Sequence, residues 1–166
     1  MMPLWFKSNP FIGAATAIAV SAVIYVAYDY WKSIEPASNW LRVDEIVVRD
    51  AQIGEDPRIV YRREILRDYP ATFIASVFRF ADKTDPIGKF YCSGQGGSNY
   101  KAGRKLPPSA ITLSWLMNRE SNPCIFTRGL YRLTISYTIT PDGYPPKVFS
   151  VDSNYFLVPP ASEISK

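Results

Sequence analysis

The sequence predicts an all-β protein, one antiparallel β-sandwich domain behind a single N-terminal transmembrane helix. Three observations lead there. Phe11 to Tyr28 (FIGAATAIAVSAVIYVAY) carries no charge. From Trp40 onward apolar residues recur with a period of two, between turns bearing Gly and Pro. No strand-helix-strand rhythm of a parallel sheet is visible. Once about 40 residues are assigned to anchor and linker, the remaining chain has the size of one ordinary domain.

The chain is expected to divide into a flank (1–10), a transmembrane signal anchor (11–31), a linker (32–39), a β-domain (40–160) and a polar tail (161–166). A bilayer core is about 30 Å thick and a helix rises about 1.5 Å per residue, so roughly 20 apolar residues cross it. Ser8-Asn9-Pro10 supplies a helix start, with a capping side chain and a proline tolerated in the first turn. Trp5 and Phe6 on one side, and Tyr25, Tyr28, Tyr30 and Trp31 on the other, form two aromatic belts of the kind found at membrane interfaces.

The competing reading is a cleaved signal peptide, cut after Val20-Ser21-Ala22, which would release a secreted β-sandwich. The unbroken apolar run to Tyr28 and the single Lys7 of the flank favour retention. A buried core helix is disfavoured because apolar residues occupy every face. Lys7 and the α-amine place the amino terminus in the cytoplasm and the C-terminal domain in a periplasmic or extracellular space. Gly13, Ala17 and Ser21 recur every four residues, which puts small side chains on one helix face. Such a face lets a second helix approach, and so points to a protein partner or a homo-oligomer; an Ala-rich helix also produces the spacing by chance.

Ser33 to Asn39 is a short polar linker containing Pro36, so the domain is expected close to the bilayer. Expected strands then follow at Leu41–Arg49, Arg58–Leu66 and Thr72–Phe80, the second and third separated by a break at Asp68-Tyr69-Pro70. Thr72–Phe80 is nearly all apolar and is expected at the centre of a sheet. Lys89–Ser93 is a short fourth strand. Gly94 to Pro108 (GQGGSNYKAGRKLPP) reads as a long irregular loop. Ala110–Met117 reads as a strand, with a short helix as the alternative. Leu130–Thr140 shows the cleanest alternation, and a turn at Pro141-Asp142-Gly143 leads to a last strand, Lys147–Val158, bulged near Asp152-Ser153-Asn154. Around Thr127-Arg128-Gly129-Leu130-Tyr131 the sequence resembles the entry to the penultimate strand of immunoglobulin-like sandwiches, where a tyrosine bonds back to the corner it follows. That resemblance implies architecture only. Cys92 and Cys124 are too close in sequence, and Trp115 is misplaced, for a true immunoglobulin domain.

The chemistry available is narrow. The chain has no histidine, which removes the commonest general base, the commonest metal ligand and the Ser-His and Cys-His nucleophile pairs. Glu55, Asp56, Asp82 and Asp85 fall in turns, where carboxylates bond local backbone. No catalytic activity, cofactor or metal is therefore expected. The two cysteines are expected to form one disulfide; buried free thiols are the alternative. From Leu41 on, 17 Lys and Arg face 13 Asp and Glu without a clustered stripe, so no nucleic-acid partner is expected. Gly94, Gly96 and Gly97 with Lys101, Arg104 and Lys105 are the candidate contact loop. Free N–H groups beside cations suit a glycan or another anionic ligand, although no Gly-Lys-Ser/Thr closes a phosphate loop. No Asn-X-Ser/Thr sequon occurs, and Asn122 is followed by Pro123, which fits a bacterial or phage source. The expected role is binding or assembly by a bilayer-anchored domain, with a small structural subunit of a larger complex or virion as the alternative.

Overall fold

The computed structural model describes residues 10–103, 109–119 and 122–160. The chain divides into two compact units that meet between Glu35 and Pro36.

The first unit contains one helix, α1 (Pro10–Ile34, 25 residues). The stretch Ala14–Ile34 is long and apolar enough to cross a membrane, and none of its apolar window is buried. Helix α1 runs a turn beyond the expected end at Trp31, since Lys32, Ser33 and Ile34 are all compatible with helix. The Lys32 ammonium lies 4.4 Å from the Tyr28 ring centroid, one turn back.

The second unit is antiparallel β-structure in two sheets. One holds β1 (Leu41–Val48), β2 (Arg58–Ile65) and β5 (Ser109–Thr112), in the order β1-β2-β5. The other holds β3 (Tyr69–Phe80), β4 (Lys89–Tyr100), β6 (Gly129–Ile139) and β7 (Lys147–Val158), in the order β4-β3-β6-β7. One helical turn, α2 (Leu113–Leu116), follows β5. As its apolar content predicts, β3 is central, paired on both sides.

Alternation explains the core. Along β6, Tyr131, Leu133, Ile135, Tyr137 and Ile139 are buried while the residues between them are half-buried. They pack in one apolar cluster with Ile59, Tyr61 and Ile65 of β2 and Ile46 and Val48 of β1, so both sheets share a core. The hydroxyls of Tyr61 and Tyr137 hydrogen-bond each other within it. The Tyr131 hydroxyl donates to the carbonyl oxygen of Thr127 at 2.8 Å, fastening the chain where it enters β6.

Three expectations need correction. The stretch 94–100 is not loop: β4 continues unbroken to Tyr100. Asp68-Tyr69-Pro70 does not break the chain before Thr72, because β3 already begins at Tyr69. Pro70 is tolerated as the second residue of the strand, and its carbonyl accepts from Thr140 N–H at 3.0 Å. Ala110–Met117 is strand only as far as Thr112. There the Thr112 side chain accepts from Trp115 N–H and caps α2, and Leu113, Leu116 and Met117 are buried at helical spacing. The bulge near Ser153 is present: pairing slips between Arg132 and Thr134, and Leu133 N–H donates to Ser153 Oγ at 3.0 Å.

The two sheets have two lateral seams. At the first, β1 lies beside β7. The bulge turns Asn154 toward β1, where its Oδ1 accepts from Val48 N–H at 2.8 Å and its Nδ2 donates to Val48 O at 3.0 Å. Leu157 N–H donates to Asp50 Oδ1 at 2.7 Å, and Ala51 N–H to Leu157 O at 3.2 Å. The second seam, between the edge strands β4 and β5, contains the candidate site.

Candidate functional site: the cleft between the second pair of sheet edges

The half of the second seam next to Cys92 is closed. Cys92 on β4 and Cys124 in the segment before β6 lie at disulfide distance, with Cα atoms 6.4 Å apart. Arg119 Nη1 donates to Ser93 O at 3.0 Å and its Nε to Asn122 O at 2.9 Å. The Tyr91 hydroxyl donates to Ile125 O. Gly94 is in contact with Met117, and a Cβ there would overlap the Met117 carbonyl oxygen.

Past Gly94 the seam opens into a cleft of about 480 Å³. Its floor is Tyr61, Arg63 and Ile65 on β2. One wall is β4 from Gly96 to Tyr100, with the Phe73 ring. The other is Ile111 with Trp115, Leu116 and Asn118. Phe73 pairs with Gly96 across the strands, and its ring covers the place a Cβ would take, 2.6 Å from that atom. Lys101 stands at the mouth, 2.8 Å from Asp68, whose carboxyl is held below the usual carboxylate range by the Ala102 N–H and by Lys101.

Arg63 is the charge of this cleft. Strand alternation sends Ile59, Tyr61, Arg63 and Ile65 to the inner side of β2, so a guanidinium occupies an apolar register. Its Nη1 donates to Tyr100 Oη at 3.2 Å, with a long contact of 3.5 Å to Tyr61 Oη. Its central carbon lies 4.7 and 5.0 Å from the centroids of those two rings. Its Nε is buried without a hydrogen-bond partner. Among the described residues no carboxylate forms an ion pair with it, and the residues lining the cleft include no Asp or Glu. Burial pushes the Tyr61 phenol up against the pull of the Arg63 charge, and burial beside Tyr61 pushes Tyr137 well up. These hydroxyls therefore stay protonated at neutral pH.

The expected contact residues separate on this map. Gly96, Gly97 and Lys101 line the cleft, Gly94 lies under Met117, and Arg104 and Lys105 fall outside the described residues. On α1, Ala17 and Ser21 are exposed, and the surroundings of Gly13 fall outside the described side chains. Tyr61, Arg63, Phe73, Ile111 and Trp115 also line the cleft and are not among the contact residues that the sequence predicts. The usable signal was in β2: two adjacent arginines in a strand cannot both face solvent, and the parity set by Ile59 and Ile65 turns Arg63 inward. Among the described residues no three His, Cys, Asp or Glu side chains converge.

No family model matches this chain, and no characterised protein and no solved structure matches it either.

Proposed function

We propose that the chain is a single-pass membrane protein with a cytoplasmic amino terminus. Its immunoglobulin-like β-sandwich lies outside the cytoplasm and serves binding or assembly rather than catalysis. The observation that supports this is α1: an apolar helix of about 37 Å, at 1.5 Å per residue, with its apolar window wholly exposed, is long enough to cross a bilayer. The immunoglobulin-like assignment draws support from the antiparallel strand order β1-β2-β5 and β4-β3-β6-β7 and from the Tyr131 hydroxyl bonded back to Thr127. The cysteine pair supports an oxidising compartment.

Protease accessibility on intact spheroplasts tests the orientation. External protease is expected to cut the domain and spare an amino-terminal tag; a domain that resists while the tag is lost overturns it. Mass analysis of the mature chain separates anchor from signal peptide, since cleavage after Ala22 removes the span. A second reading is a structural subunit held by helix contacts, favoured by the exposed small residues Ala17 and Ser21. Fixed-stoichiometry co-purification with neighbours, lost when Gly13, Ala17 and Ser21 become Leu, supports it.

A further inference from the structure

We propose that the cleft on Arg63 binds a small amphipathic acid, a carboxylate or phosphate joined to a flat apolar body. This rests on the reading of the domain as a binding module and names its ligand class.

Size comes first. A volume of about 480 Å³ lies within the range of ligand pockets, roughly 300–1,000 Å³. Charge comes second. Arg63 and Lys101 line the cleft with no acidic residue among the lining. Lys101 already has Asp68, whereas Arg63 has only tyrosines and a buried, unbonded Nε. A guanidinium partly withdrawn from water with no counter-ion gains most from an anion, and its planar fork matches carboxylate and phosphate oxygens. Rigidity comes third. Two tyrosine rings hold the guanidinium before any ligand arrives, so little side-chain freedom is lost on binding.

The rest of the cleft selects against a bare inorganic anion. Phe73, Ile111 and Leu116 give it apolar walls, and Trp115 is 56% exposed beside them. A ring or short chain laid there buries apolar surface on both sides. Asn99, Asn118 and Ser98 supply hydrogen-bonding groups along the cleft for a polar substituent.

Full-length protein in neutral lipid nanodiscs, titrated calorimetrically against empty nanodiscs, tests this. The probes are 2-naphthoate, 2-naphthyl phosphate and the uncharged 2-naphthalenemethanol. Both acids are expected to saturate at one site per chain, and the alcohol to bind at least tenfold more weakly. The tighter acid identifies the headgroup. Arg63→Met is expected to weaken the acids at least tenfold and leave the alcohol unchanged. Trp115→Ala alters an exposed side chain and is expected to weaken all three by a similar factor; it carries the test if Arg63→Met fails to fold. Equal binding of acids and alcohol, or acid binding untouched by either variant, overturns the proposal. So does an oligogalacturonide that binds more tightly than naphthoate, since it has no apolar body. Loss of probe binding with the domain still cut from outside removes only the ligand assignment. A domain shielded from external protease that still binds naphthoate removes only the orientation.

Discussion

The two seams of the β-domain close by different physics. At the β1/β7 seam the chain supplies its own adapter: Asn154, swung out by the Ser153 bulge, offers Val48 an acceptor and a donor as a neighbouring strand would. At the β4/β5 seam no strand or side chain among the described residues performs that task along the whole length. A disulfide-tethered segment closes the Cys92 half, and the Gly96–Tyr100 half is left as a cleft. A sheet edge that is neither paired nor covered is a liability unless it is used, and the open half holds the Arg63 guanidinium, which has tyrosines but, among the described residues, no carboxylate beside it.

Four variants break or sharpen that contrast. The largest effect is expected from Cys92→Ala with Cys124→Ala. The chain-entropy relation gives roughly 3 to 4 kcal/mol for a closed loop of this size, read as a fall in the urea midpoint of the domain. A loss below about 1 kcal/mol would mean that Arg119 and Met117 hold the covered half unaided. Next is Gly94→Ala, expected to cost about 3 kcal/mol, because the added methyl meets the Met117 carbonyl rather than a movable side-chain tip. Asn154→Ala is expected to cost about 2 kcal/mol, since it strands the amide and carbonyl of Val48. Hydrogen exchange checks it, with lost protection confined to β1 and β7; loss spread through β3 and β6 would show that the first seam is not a separate unit. Smallest is Gly96→Ala, under about 1 kcal/mol. Its methyl meets only the far end of the Phe73 ring, which has open cleft to turn into. A Gly96 effect as large as that of Gly94 would mean the cleft is filled and rigid.

The glycines show why part of the site was illegible. Gly94, Gly96 and Gly97 give period-two reading no side chain to register, so a twelve-residue strand looked like five residues of strand and a loop. What keeps them in a strand is remote: Met117 lies over Gly94 and Phe73 over Gly96. Pro70 misled for a related reason, since a proline is disruptive in mid-strand and harmless at its start. The switch from β5 to α2 was half visible, because Leu113, Leu116 and Met117 carry helical spacing within a run too short for period to decide. By contrast, β1, β2, β6 and β7 were readable almost to the residue, because their apolar side chains recur on one face and that face is the more deeply buried.

The sequence by itself determined the apolar helix, the antiparallel β-character and most strand limits. These are set by local periodicity and by uninterrupted apolar length, which need no knowledge of neighbours. With only two cysteines it allowed one pairing, and the structure brings Cys92 and Cys124 to disulfide distance. Tertiary structure alone decided which strands became edges, which seam Asn154 closes and which is left open. It alone decided that Arg63, Tyr61, Tyr100 and Trp115, from three separate stretches, meet at one cleft. Sheet order is a matter of contacts between residues far apart in the chain, and the burial of a charge depends on what the opposite sheet fails to place over it.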